Sequence, residues 1–226
     1  MSDNSTNLHQ TKLWKVLIQR RSVLFGLIIL FVIGFCAVFA PWITSIDPSA
    51  IAVRSRLLPP GAEHWLGTDE FGRDIFTRLI YAGRVSLTVG IGVAIISSFV
   101  GSIMGLVSGF FKRLDGPISR LVDAMMAFPD ILLAISLVAV LGGTVTNVII
   151  ALSIVYTPRI ARIVRASTLV IRELPYVEAS KALGIGTPTI LFSHILRNIM
   201  SPIIVQATFI FAHSMLSEAS LSFLGV

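Results

Sequence analysis

The chain has 226 residues, 54% apolar and only 13% charged, with a formal net charge of +6. That charged share is about half the one usual in soluble domains, so there is too little polar surface for one or two water-soluble domains of this length. The basic residues are scattered between apolar runs, not gathered into an aromatic-studded patch, which argues against a nucleic-acid partner and reads as the topology signals of a membrane protein.

Residues 1–21 are polar and close on Lys12, Lys15, Arg20 and Arg21, which predicts a cytoplasmic N-terminal segment. Span 1 follows at 22–40. Its 19 uncharged residues exceed the apolar core of a cleavable signal, about 7–15 residues, so an uncleaved anchor is expected. The lone cysteine, Cys36, lies inside this run, which rules out an internal disulfide. Residues 41–84 are predicted as an outer loop in which five Arg balance five acids. Span 2 is expected at 85–111, where 27 residues pass without a formal charge. Gly101, Gly105 and Gly109 lie four apart in it, a spacing that lets helices approach closely in lipid; glycine is also simply common in membrane helices.

A basic turn with Lys112, Arg113 and Arg120 comes next. Ile131 to Tyr156 carries no charge and could be one long span, but "GGTVTN", Gly142 to Asn147, is a turn signal in its middle. A hairpin of spans at 121–141 and 147–165 puts the Arg159, Arg162 and Arg165 cluster on the same side as Lys112 and Arg113. Counted so, 13 of the 18 Lys and Arg face inward, and the hairpin is preferred. Residues 166–198 are then a cytoplasmic loop, and 199–224 a fifth span. The expected fold class is therefore an all-α membrane protein with five transmembrane helices.

Two loop segments carry further pattern. "DEFGRDIFTRLIYAGR" has helical periodicity, with Phe71, Ile75 and Leu79 on one face. Asp69 and Glu70 suit a helix N-terminus, and Asp69/Arg73 and Asp74/Arg78 are acid-before-base pairs at i, i+4. An amphipathic outer-loop helix lying along the interface is expected, whether it shapes a binding surface or merely anchors the loop. In the inner loop, Pro175 suits N1 of a helix, Glu178 and Lys181 form an i, i+3 pair, and Gly184 suits the stop after it. Thr187 and Pro188 read as N-cap and N1 of a second helix. Ala179, Ser180 and Ala182 would leave an uncrowded surface for docking. A plain connector of 33 residues would be unusually long.

Three stretches together carry a resemblance. "LGTDEFGRDIFTRLIYAGRVSL" resembles the segment before the second span in permeases of the dipeptide/oligopeptide/nickel branch of ATP-binding-cassette (ABC) importers. "YVEASKALGIGTPTILFSHIL", Tyr176 to Leu196, resembles the cytoplasmic EAA loop of such permeases, and "SEASLSFLG", Ser217 to Gly225, resembles a fifth-span signature of the same branch. The resemblance implies a coupling role for Glu178, Ala179, Ser180 and Gly184, and an outer-loop signature of Gly67, Thr68, Asp69, Gly72, Arg73 and Asp74. It also implies partners: a second homologous permease, two ATP-binding subunits that keep ATP and magnesium to themselves, and an extracytoplasmic solute-binding protein. The expected place is the bacterial inner membrane, among lipid and away from nucleic acid. Two departures stand out. Arg197 follows "HIL" where the family commonly has proline, and the chain ends at "LSFLGV" where relatives continue through a sixth span.

No "GxxxxGK[ST]" or "HExxH" occurs, so neither a phosphate-cradling loop nor a zinc site of that kind is expected in this chain. His9, His64, His194 and His213 stand apart in sequence, and His213 and Glu218 are five residues apart, off the spacing that shares a helix face. An enzyme active site, a metal and a bound cofactor are not expected. Glu218 and Asp123 are the candidate pathway or interface acids. Peptide import is the preferred reading. Nickel or another small solute on the same scaffold is the alternative. A channel or secondary transporter is the reading from another class, and would need ionisable residues along a path, of which only Asp123, Asp130 and Glu218 lie near membrane depth.

Overall fold

The computed structural model describes residues 21–225, so the N-terminal segment expected at 1–21 lies, but for Arg21, outside the described residues. The described chain is helical, with one isolated antiparallel bridge, Thr68 to Asp74. Four helices are long and apolar enough to cross a membrane, and a bent pair makes a fifth span if it is counted as one. The all-α membrane class is as expected. The chain divides into two compact units, Met1–Leu87 and Thr88–Val226.

In the first unit, α1 (Arg21–Val38) leaves its apolar side chains exposed, Phe25 and Phe31 among them, as a helix surrounded by acyl chains would. It breaks where Pro41, which has no N–H to donate, opens the short α2 (Ala40–Ile43). The outer loop then runs through one 3₁₀ turn, Val53–Ser55, to the start of α3 (Ile75–Phe110).

Helix α3 corrects two expectations. The outer-loop helix does not exist as a separate element, and the helix that carries span 2 begins at Ile75, ten residues before Val85. Residues 69–74 form a hydrogen-bonded turn, and the apolar periodicity from Ile75 onward belongs to one unbroken helix of 36 residues. At 1.5 Å per residue that is about 54 Å, far longer than the roughly 30 Å hydrocarbon core, so α3 protrudes well beyond it. Periodicity registered the helix but could not locate its start.

In the second unit, the span expected at 121–141 is not one continuous helix. Helix α4 (Lys112–Met126) is followed by a break and by α5 (Asp130–Leu141), with 92° between them. The break has a local cause. Pro129 cannot donate to the preceding turn and holds Phe128 out of the helical region. The hairpin expected after it is present. Gly142 turns at φ +94, the Thr144 hydroxyl accepts from Asn147 N at 3.3 Å, and α6 (Val145–Ile171) runs back, longer than the 147–165 expected.

Helix α6 is the axis of the core: Leu152, Tyr156, Ile160 and Val164 are each at most 1% exposed. The glycine spacing of α3 is a contact surface against it. A Cβ on Gly101 would lie 2.6 Å from Ile160 Cβ, one on Gly105 2.6 Å from Val164 Cβ, and one on Gly109 2.6 Å from Thr168 Cβ. Any larger residue would force the two helices apart. The last span, α9 (Met200–Phe223), is close to the expected bounds.

Candidate functional site

Helix α6 ends with Arg172 Nη1 donating to Gly109 O at 2.7 Å, which pins the start of the inner loop to the end of α3. Leu174 is extended, as a residue before proline prefers, and Pro175 opens α7 (Pro175–Ala182) at its first position as expected. Val177 is fully buried and belongs to one apolar cluster with Ile190, Ile195 and Ile199, so α7 is fixed by its inner face. Ser180 is buried on that same face and donates to Tyr176 O at 2.7 Å. The uncrowded surface expected to include Ser180 is therefore made without it. Glu178, Ala179, Ala182 and Leu183 point outward, and Leu183 is 80% exposed.

Lys181 does not turn to Glu178 as its i, i+3 partner. Its ammonium lies over the Phe110 ring, 5.1 Å from the centroid, which the negative ring face favours. The end of α7 is the glycine-closed stop that the sequence predicts. Gly184 has φ +74, its N–H donates to Lys181 O at 3.0 Å, and Ile185 N donates to Ser180 O at 3.1 Å. These two bonds are the Schellman pattern that a left-handed residue after a helix makes available. The next helix, α8 (Thr187–Thr189), is capped by Gly186 one residue earlier than expected, with Pro188 inside its first turn. It continues as a wider π-helical stretch, Ile190–Leu196, with Ile190 and Ile195 buried. The product is a short helix held at its base, a fixed bend, and an apolar tip left bare.

The outer-loop residues expected as a signature come together as a knot of the first unit. Thr68 is buried; its hydroxyl accepts from Leu58 N at 2.9 Å and donates to Ser55 O. Asp69 accepts from Phe71 N at 2.8 Å and Arg73 N at 2.9 Å through Oδ1, while Arg73 Nε at 2.8 Å and Arg78 reach Oδ2. Burial opposes its ionisation, but these four donors outweigh it and hold the Asp69 carboxyl well below the usual carboxylate range. The Asp69–Arg73 pair thus exists, inside a turn and not along a helix. The Asp74–Arg78 pair does not, because Arg78 is taken by Asp69.

Asp74 has other work. Its Oδ1 accepts from Thr77 N at 2.7 Å, the N-cap bond of α3, and its Oδ2 meets His64 Nδ1 at 2.9 Å. Burial pushes against its charge, and the bonds from Thr77 and His64 overcome it, so its carboxyl also titrates below its ordinary value. His64 is therefore not an isolated histidine; ten residues separate the partners, and nothing in their spacing announced the contact. Gly67 and Gly72 both have positive φ, and a Cβ on either would strike a backbone carbonyl, of Leu58 and Ala52 respectively. Glycine is required there by space as well as by conformation.

In the second unit, three arginines expected only as topology signals of α6 each hold an aspartate. Arg159 pairs with Asp130 of α5, Arg162 with Asp123 of α4 at 2.7 Å, and Arg165 with Asp115 of α4 at 2.8 Å through Nη2. Asp123 is exposed, so its visible role is this surface pair. Glu218 is half-buried on α9. Immediately before it, Ser217 shares a 2.7 Å hydrogen bond with the buried Tyr156 hydroxyl, which ties α9 to α6. Among the described residues no group of three His, Cys, Asp or Glu side chains is placed to hold a metal ion.

Residues 97–226 match the family described as binding-protein-dependent transport system inner membrane component. The chain belongs to that family. Residues 11–60 also match the N-terminal TM domain of oligopeptide transport permease C. This inner membrane component is 49% identical over 210 residues to a protein of Brucella suis biovar 1 whose name reads peptide transport system permease protein, covering 93% of this chain and 71% of that one. It is 44% identical to the dipeptide transport system permease protein of Alkalihalophilus pseudofirmus, covering 94% and 70%. To the glutathione transport system permease protein of Pectobacterium atrosepticum it is 37% identical, covering 99% and 75%. The family match lies over α4 to α9 and the last 14 residues of α3, so the inner loop and the last span are within it. A transport component of this family works beside an ATPase and a binding protein, and it is not itself an enzyme.

Proposed function

We propose that this chain is a permease subunit of an ABC importer for peptides, forming half of the membrane pathway and receiving the stroke of ATP hydrolysis through α7. The observation that carries the coupling role is the tip of the inner loop. Leu183 is 80% exposed beside Glu178 and Ala179, while Val177 and Ser180 on the opposite face are buried. A bare leucine on a rigidly based helix suits insertion into a partner's groove, where apolar anchors contribute most. Force applied to the tip would pass through Val177 into the cluster of Ile190, Ile195 and Ile199, and on to α9. ATP and magnesium act in the partner subunits.

The expected complex has a second, homologous permease, two ATP-binding subunits and an extracytoplasmic solute-binding protein. The outer loop faces that binding protein, and the N-terminus and inner loop face the cytoplasm. Peptides are favoured as solute because the similar proteins are named for peptides, dipeptides and glutathione. The test is to purify the chain with co-expressed neighbours, reconstitute the complex, and measure peptide uptake with binding protein and ATP. Uptake that needs no ATPase would refute the importer reading. A binding protein that retains nickel and no peptide would overturn the solute and leave the scaffold role intact.

A further inference from the structure

Helix α4 carries five charged residues, and both of its acids are already engaged: Asp115 by Arg165 and Asp123 by Arg162. Lys112, Arg113 and Arg120 are exposed, and none has a carboxylate within ion-pair distance among the described residues. What α4 presents outward is therefore cationic. Its apolar side is also bare. Leu114 is 45% and Leu121 54% exposed, and Phe111 and Phe128 are exposed just beyond its two ends. At about 100° per residue, positions seven apart fall almost in line, so Leu114 and Leu121 form one stripe and Arg113 and Arg120 form the next. The side turned to the protein is a third, with the buried Val122 and the paired Asp115.

Orientation completes the picture. Helix α5 has 12 residues, too few to cross the hydrocarbon alone, and turns at Gly142 into the spanning α6, while α4 stands at 92° to α5. A helix at right angles to one that enters the bilayer lies along the surface. An apolar stripe edged by Arg113 and Arg120 is the pattern of a helix half sunk in the headgroup region, and basic residues there attract anionic lipid.

We propose that α4 lies on the leaflet at the α7–α8 side, with Leu114 and Leu121 between acyl chains and Arg113 and Arg120 holding anionic headgroups. The side follows from Lys181 of α7, which sits over Phe110 immediately before α4. The ion pairs with α6 then have a second consequence: they neutralise the two acids that would otherwise repel those headgroups.

Spin labels on Leu114→Cys and Leu121→Cys, in a Cys36→Ser background, test the placement in the assembled transporter in nanodiscs. Greater accessibility to oxygen than to an aqueous nickel chelate is expected. Preference for the aqueous chelate would overturn the proposal, and so would shielding from both reagents, which means that protein covers the face. Native mass spectrometry of retained phosphatidylglycerol tests the charge. Arg113→Gln and Arg120→Gln should each lower its apparent affinity about five-fold, and Arg120→Lys should not. Unchanged retention in the double variant would refute it. Neither readout depends on transport, so the result stands apart from the importer reading.

Discussion

Replacing Gly184 separates the shape of the inner loop from its packing. The residue sits at φ +74, and a Cβ built there meets nothing within 4 Å. A side chain at this position therefore encounters no collision inside the chain; its cost is purely that of a left-handed backbone, about 1–2 kcal/mol for an ordinary residue. That lowers the population of the observed bend by roughly 5–30-fold. Relaxing it breaks the bonds from Gly184 N to Lys181 O and from Ile185 N to Ser180 O, and α8 leaves α7 in a new direction. Gly184→Val should insert and express normally, yet lose most binding-protein-stimulated ATP hydrolysis and peptide uptake in proteoliposomes. Asparagine tolerates the left-handed region, so Gly184→Asn should recover most of both. Wild-type rates for Gly184→Val would refute the coupling assignment. Equal loss in Gly184→Asn would show that the bare surface, and not the bend, is what a substitution disturbs.

Further perturbations address the rest of the chain. Asp74→Ala should destabilise the outer loop by about 1 kcal/mol through loss of the α3 cap, seen as a lower thermal midpoint in detergent. Because the folded-state pKa of Asp74 is depressed, its contribution is complete above the ordinary value of 3.8 and fades as pH falls through the folded value. Wild type should therefore lose its margin over Asp74→Asn only in strong acid; a margin that disappeared near neutrality would contradict the assignment. Gly105→Leu should block stable insertion, since even the first added carbon lies 2.6 Å from Val164 Cβ, whereas Gly116→Leu, with open space, should be accepted; protease resistance of the inserted chain separates them. Cysteine at Ser55 should react with an impermeant maleimide in intact cells and cysteine at Thr187 should not, and the reverse pattern would invert the proposed topology. Glu218→Gln should reduce uptake at normal expression, because a carboxylate on a spanning helix is retained only where protein or water receives it; full uptake would place Glu218 at the membrane boundary.

What could be read in the sequence was whatever physics writes locally. Uncharged runs gave the spans, since about 20 helical residues must cross the hydrocarbon whatever their neighbours are. Pro175 and Gly184 gave the ends of α7, because each restricts its own backbone. What failed depended on partners distant in sequence. The segment from Asp69 to Asp74 carries helical spacing, but Gly67, Gly72 and Thr68 commit it to a knot with Ser55, Leu58 and Ala52, and a periodicity count cannot weigh those bonds. Arg78 obeyed i, i+4 arithmetic toward Asp74, but Asp74 was more strongly claimed by the α3 terminus and His64, which left Arg78 to Asp69. Likewise Arg159, Arg162 and Arg165 read as topology signals and are also three ion-pair partners. The two roles do not compete. An arginine at the end of a span both fixes orientation and stands where neighbouring helices meet it, so acids on α4 and α5, Asp115, Asp123 and Asp130, are within reach. Two of these arginines, Arg162 and Arg165, leave α4 with uncompensated cations on its outer face. A charge count along the sequence, in which Asp115 and Asp123 offset two of the three basic residues of α4, conceals that face; only the fold shows which charges are already spent.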